Sequence, residues 1–226
     1  PNGSIKNGCQ FATTQGVRGS NASGWNLGWG WNTPTDNLVA AYEPGDVRKG
    51  STILFSGQSD DPSTGGYGRV LPGSTFDVPA GPLPRKYWNK KIYADPAYRA
   101  STGQSDNPNW INKRIFRYAD VLLMAAECHN ELGNGAQAIP FVNAVRNRAG
   151  LANITFTTQA DLRNLIKQER RVEFGVEGER FFDLVRWGDA VTVLGPLGYT
   201  NKCRFYPIHQ PAIDKSGGLL VQNPEW

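Results

Sequence analysis

Hydrophobic positions follow two regimes along the chain. Beyond about residue 113 they recur every three or four residues, the period of a helix with one buried face. Tyr118 to Leu132 is apolar on nearly all sides and stops at Gly133, which predicts a buried helix closed by a glycine terminator. Asn134-Gly135 turns the chain, and Ala136 to Ala149, closed by Gly150, places Ile139, Val142 and Val145 at helical spacing. The two segments predict an antiparallel helical hairpin. Pro140 is expected in the first turn, where a missing N–H costs least. Thr158 followed by Asp161 has the pattern of a capping box and opens a third helix to about Phe174, with Leu162, Leu165, Ile166 and Val172 along one stripe. A short fourth helix from Arg180 to Trp187 precedes a Gly-Pro loop, an extended piece at Arg204 to Pro207 and a polar tail.

Residues 1–112 lack this period. They hold 16 of the 26 glycines, 10 of the 15 prolines and five of the seven tryptophans, a composition of loops and short elements with too many aromatics for a disordered linker. The chain therefore divides into a loop-rich, aromatic-rich region, 1–112, and a helical region, 113–226, within one domain that is mainly α with long ordered loops and little β. At 226 residues it can bury a core without covalent staples. The longest strongly apolar run, Val121 to Ala126, is far too short to span a bilayer. Twenty-four basic and 20 acidic residues give +4, with the signs interleaved and no basic stripe, so nucleic acid is not the expected partner. Cys9, Cys128 and Cys203 form no CxxC pair and read as free or buried thiols, Cys128 as a core residue.

Candidate chemistry is sparse. His129 and His209 stand alone without an HxxxH or second ligand, so no metal or other cofactor is implied. Glu169, Glu173, Glu177 and Asp183 suggest the paired acids of a glycosidase. Interleaved Arg170, Arg171, Arg180 and Arg186 favour instead a salt-bridged helix whose arginines lower the carboxyl pKa values. Glu169 lies near the apolar stripe and reads as a partly buried anchor paired with Arg186 or Arg117. Gly65-Gly66-Tyr67-Gly68 lacks the Lys-Ser/Thr of a phosphate loop and reads as a mobile loop. The distinctive cluster is Trp25, Trp29 and Trp31, spaced by glycine and flanked by Asn26 and Asn32. Such indoles either cap the core or form a platform that stacks on sugar rings, while neighbouring amides meet the hydroxyls. Tyr67 is a second-rank candidate. Tyr87-Trp88, between Arg85-Lys86 and Lys90-Lys91, is a third, although the four cations more often mark a solvated turn.

Four separated motifs resemble the SusD/RagB family of surface glycan-binding lipoproteins. The first runs from Asn37 to Arg48, with Tyr42-Glu43-Pro-Gly-Asp46-Val-Arg48 similar to the family's "y-e-x-g-D-x-R". Arg117-Tyr-Ala-Asp-Val-Leu-Leu123 with Asn143-Ala-Val-Arg146 and Arg148-Ala-Gly150 is similar to "RYADVLL … N-x-V-R-x-R-A-G". Glu169-Arg-Arg-Val-Glu173-Phe174, Glu177-Gly178-Glu179-Arg180 and Asp183 to Trp187 resemble the block "ERR-x-E-f … EG-x-R-x-x-DL-x-RW". Tyr206-Pro-Ile208 and Gln222-Asn-Pro224 are similar to "(y/f)PIP" and "QNPGY", with His209 and Glu225-Trp226 as departures. The resemblance covers the family's C-terminal half. It implies the C-terminal part of a tetratricopeptide-type helical fold whose N-terminal region and lipid anchor are absent from this chain. It also implies non-catalytic binding of an oligosaccharide or polysaccharide at the outer membrane, with delivery to a SusC-like TonB-dependent transporter. The alternatives are a glycoside hydrolase using Glu/Asp pairs and a helical scaffold for protein partners.

Overall fold

The capping box closes as its sequence requires: the Asp161 N–H donates to Thr158 Oγ1 at 3.1 Å and the Thr158 N–H to Asp161 Oδ2 at 3.0 Å. The computed structural model describes residues 10–18, 25, 27–71, 85–94 and 111–226. Among the described residues the helices are α1 (Gln10–Gln15), α2 (Asp36–Val39), α3 (Arg48–Thr52), α4 (Tyr118–Glu131), α5 (Gly135–Arg148), α6 (Gln159–Glu173), α7 (Arg180–Arg186), α8 (Ala190–Leu194) and α9 (Gln210–Lys215). Strands β1 (Ile53–Phe55) and β2 (Tyr87–Asn89) pair antiparallel, Leu54 opposite Trp88. The protein is mainly helical with little β. Its contacts divide it into two compact units, Pro1–Glu177 and Gly178–Trp226.

In the first unit the helical stripes interlock. Ala119, Leu123 and Ala126 of α4 meet Ala138, Val142 and Val145 of α5 and Leu162 and Ile166 of α6, all buried. Gly133 takes a left-handed φ of +77° to turn α4 into α5. A Cβ on Gly135, the first residue of α5, would lie 2.6 Å from the outer edge of the Phe156 ring, so a larger residue there would displace that ring. Two expectations need correction. Pro140 sits in the second turn of α5. Its missing N–H leaves the Ala136 carbonyl without a helical donor, and both residues are exposed, so water can serve that carbonyl. Helix α4 is not buried all round: Tyr118, Val121, Met124, Cys128 and Leu132, stepping by three and four, form an exposed stripe, so Cys128 lies at the surface and not in the core.

The loop-rich part has its own core of Val17, Trp25, Leu27, Leu54, Leu71, Trp88 and Tyr93. A third cluster, Tyr42, Ile53 and Val172, carries β1 onto α6, and the Tyr42 hydroxyl donates to the Val172 carbonyl at 3.1 Å. The loop Gly65 to Gly68, read from sequence as mobile, is folded over Asp60. That buried carboxylate accepts the N–H of Tyr67 at 3.0 Å and the N–H of Arg69, and a Cβ on Gly66 would sit 2.7 Å from the Asp60 backbone.

In the second unit, α7 and α8 are followed by single 3-10 turns and by α9, a short helix where the sequence reads as polar tail. Gln222 and Ile208 exchange two hydrogen bonds, 2.7 and 2.9 Å, and Asn223 donates to the Tyr206 carbonyl at 2.6 Å. The two closing motifs are therefore halves of one clip. Trp226 completes it, its indole N–H donating to the carbonyls of Lys202 and Phe205, both at 3.0 Å. Among the described residues no helix is long and apolar enough to cross a membrane.

Candidate functional site

Glycine spacing is what puts the tryptophans where they are. A Cβ on Gly28 would lie 2.3 Å from the Thr13 carbonyl oxygen and 2.6 Å from the Gly16 Cα, so only glycine lets the segment cross the end of α1 this closely. Backbone hydrogen bonds then register it: Trp29 N–H to Thr13, Gly30 N–H to Gly16 and Trp31 N–H to Thr14, at 2.9, 3.0 and 2.9 Å. Gly30 adopts φ +71° against the Trp88 ring.

The three indoles separate. Trp25 is 9% exposed and stacks on Tyr93 with centroids 6.4 Å apart, so it belongs to the core and not to an open platform. Trp29 and Trp31 are 49% and 60% exposed and form an edge-to-face pair at 5.9 Å. Asn32 follows at φ +50°, and its amide N–H groups are committed to Gln15 Oε1 at 2.6 Å and the Val176 carbonyl at 3.0 Å. Its donors thus fix the turn that holds Trp31, where the sequence suggested that they face a ligand. Asn26 lies outside the described residues. Tyr67 is 45% exposed, its ring 5.3 Å from Tyr93, at the outer end of a column that begins at Trp25. The third candidate dissolves: Trp88 is buried with its indole N–H on Ser56 Oγ at 2.9 Å, and Tyr87 donates to Asp36 at 2.7 Å. Of its four flanking cations, Lys90 and Lys91 turn inward, to Thr64 Oγ1 at 2.8 Å and Glu177 at 2.5 Å, so this is not a solvated turn.

The charged motifs converge on one buried network. Arg48 clamps Asp46 through two nitrogens, at 2.9 and 2.7 Å, and reaches Glu169 at 2.5 Å and Glu173 at 3.1 Å. Arg146 joins Glu169 at 3.2 Å to Glu43 at 2.6 Å. Glu169 therefore pairs with Arg48 and Arg146, and not with Arg186 or Arg117 as the sequence suggested. Arg117 instead bridges Glu173 at 2.7 Å and Glu177 at 2.8 and 2.9 Å, Arg148 adds 2.6 Å to Glu173, and Arg170 holds Asp120 at 2.8 Å. Arg117 and Arg170 also stack on the Phe174 ring, 4.8 and 4.9 Å from its centre.

The two central carboxyls titrate in opposite directions. Burial pushes Glu169, 2% exposed, above its ordinary value against the pull of Arg48 and Arg146. Burial raises Glu173 as well, but Arg117 and Arg148 overcome it and hold that carboxyl below the usual range. The expectation that arginines lower both is thus corrected for Glu169. His129 stacks on Phe141 at 5.7 Å. Arg48 and Asp46 were missed as members of the network, although their Asp-x-Arg spacing is what permits the clamp.

Beside the network opens a cleft of about 490 Å³. Its wall includes Arg48, Lys90, Lys91, Arg114, Arg117 and Arg148, the carboxylates Glu173 and Glu177, and the hydroxyl residues Ser51, Thr52 and Tyr93. Burial depresses the pKa of Lys90, and of Lys91 despite Glu177.

A short antiparallel helical core carrying loops, ion pairs locked between helix and loop, and paired surface indoles defines a helical scaffold that presents a loop-borne surface. The chain belongs to the SusD family, whose family model matches residues 4–202. It is 27% identical over 229 residues to SusD-like protein P2 of Formosa agariphila, covering 94% of this chain and 44% of that one. Surface glycan-binding protein A of Bacteroides thetaiotaomicron superposes with a TM-score of 0.67 at 26% identity, over 94% of this chain and 46% of that chain. A solved protein described as a laminarin-binding SusD-like protein gives 0.66 at 27%, over 97% and 44%. The chain thus spans less than half the length of each of these three.

Proposed function

We propose that this protein binds oligosaccharide without cleaving it, through the Trp29–Trp31 pair. The observation that carries this reading is an edge-to-face indole pair, half exposed, on a backbone that α1 and Gln15 hold rigid. Two large apolar rings left in water on a fixed support are costly unless something covers them, and the C–H faces of pyranose rings have the matching shape. Relatives described as glycan-binding support the same class of ligand. Capture without hydrolysis is supported by the state of the acids: both oxygens of Glu169 and of Glu173 accept from guanidinium groups, leaving neither carboxyl free to protonate a leaving group. Family membership further supports display at the outer membrane through a lipid anchor and delivery of the glycan to a SusC-like transporter.

Titration of the purified protein with laminari-oligosaccharides and a panel of other neutral glycans, followed by calorimetry, tests the reading. Trp31→Ala is expected to weaken binding about tenfold, with the melting temperature unchanged because the ring is exposed. Undiminished binding in a Trp29→Ala, Trp31→Ala double variant refutes the platform. Release of reducing ends by the wild-type protein refutes the non-catalytic part.

A further inference from the structure

We propose that Gln15, Asn89 and Val176 are positioning residues for the indole platform: with Asn32 they close a ring of hydrogen bonds that holds Trp31 in place before any glycan arrives. The inference rests on the glycan-binding reading and adds the residues, distant in sequence, on which that site depends. The ring has two donors and two acceptors. The Asn32 amide nitrogen donates to Gln15 Oε1 at 2.6 Å and to the Val176 carbonyl at 3.0 Å. The Asn89 amide nitrogen donates to the same two oxygens, at 3.0 and 3.4 Å. Each amide nitrogen carries two hydrogens and each oxygen two lone pairs, so all four groups are saturated and the ring is rigid. The direction of two of the amides is dictated by further bonds. Gln15 donates from its own nitrogen to the Phe11 carbonyl at 3.0 Å, which leaves Oε1 for the ring. Asn89 Oδ1 accepts the Lys91 N–H at 3.0 Å, which leaves its nitrogen for the ring.

Four separate segments meet at this ring: the end of α1, the turn after Trp31, the end of β2 and the connection after α6. Gln15 and Asn89 are buried, so neither side chain is available to a ligand at the surface. Val176 is the strained member. It occupies the second inner position of a turn closed by the Glu177 N–H on the Phe174 carbonyl at 3.0 Å, with φ +59°, a region that a β-branched residue disfavours. Such strain persists only where the surroundings over-determine it. Here Lys91 and Arg117 grip the next residue, Glu177, and the two amides grip the Val176 carbonyl itself. On the indole side, the Trp31 N–H is bonded to Thr14 and Asn32 follows at φ +50°. Trp31 is therefore held at its own N–H and at the residue after it. An exposed indole on a loose turn would be ordered only on binding, and that ordering subtracts from affinity; a turn held in advance avoids the loss.

The experiment joins calorimetry with a laminari-oligosaccharide, or whichever neutral glycan of the panel above the wild type binds, to fluorine NMR of the purified protein labelled with fluorotryptophan. Trp31→Phe and Trp226→Phe assign the two resonances needed. Gln15→Met, which keeps the side-chain length and removes the acceptor, should weaken binding about tenfold. It should also shift the Trp31 resonance of the ligand-free protein while that of Trp226, which has no part in the ring, stays in place. Gln15→Glu restores an acceptor at the same point and should bring affinity and resonance back toward wild type, a rescue that general destabilisation would not show. Asn32→Gly removes one donor at an exposed position and keeps the left-handed turn, so it repeats the test with melting little changed even if Gln15→Met folds poorly. A Trp31 resonance that neither variant moves overturns the inference, and so does wild-type affinity in both. Lost binding in the Trp29→Ala, Trp31→Ala double variant beside unchanged binding in Gln15→Met and Asn32→Gly keeps the platform and refutes its positioning by the ring. Undiminished binding in that double variant refutes the platform, and with it any role of the ring in binding.

Discussion

Glu169 and Glu173 are one helical turn apart and meet the same Arg48, yet their environments separate their ionisation. The consequence for stability follows from linkage. Glu173 is depressed in the folded state, so its contribution is present above the ordinary carboxyl value of 4.5 and is lost as pH falls through its lower folded value. Glu169 is raised, so its contribution is greatest below 4.5 and declines as pH rises through its higher folded value. Among the buried carboxyls the acid limb of the stability curve therefore belongs to Glu173, with smaller help from the more exposed Glu43, Asp36, Asp61 and Glu131, which their own partners also hold below the usual range. Urea midpoints measured from pH 3 to 7 should fall steeply below about pH 4.5 in the wild type, and Glu173→Gln should flatten that fall while lowering stability at pH 7. A wild-type midpoint that rises on acidification would contradict the assignment. At this scale the sequence signalled which side chains were acidic and near one another, but not which way each would titrate, because that depends on burial supplied by other elements.

Among elements, α4 is the informative case. Its apolar residues run round the whole helix, and nothing in their order distinguishes the face that α5 and α6 cover from the stripe Tyr118, Val121, Met124, Cys128 and Leu132 that stays open. The two faces should respond differently to truncation. Leu123→Ala, from a fully buried position, should cost about 3 kcal/mol, whereas Val121→Ala should cost less than about 0.5 kcal/mol. Thermal or urea unfolding of the two variants measures the difference, and equal losses would mean that the stripe is covered in solution. The helix limits themselves were legible: α4, α5, α6 and α7 begin and end within one residue of the spans read from periodicity, Gly133 and the capping box. Helix α9 was not, since six residues containing a proline and two charges carry too little pattern.

For the whole molecule, the separated sequence motifs turn out to be ends of one set of ion pairs. Arg48 lies 121 and 125 positions from Glu169 and Glu173, so the network staples the loop-rich part to α6. Arg48→Met should leave Asp46 without its clamp and Glu169 with Arg146 alone, costing about 3 to 5 kcal/mol. A double-mutant cycle with Glu169→Gln should show strong coupling between the two positions; additive effects would mean that the pairs are independent. The sequence by itself determined the helices, their caps and the glycine-spaced indole segment, because period, capping and left-handed turns are set by residues a few positions apart. Only the tertiary structure decided that Trp25 is core while Trp29 and Trp31 face water, and that Arg48 is the partner of Glu169. Those outcomes depend on where distant segments cross, and crossing is fixed by the burial of whole faces and not by any local pattern.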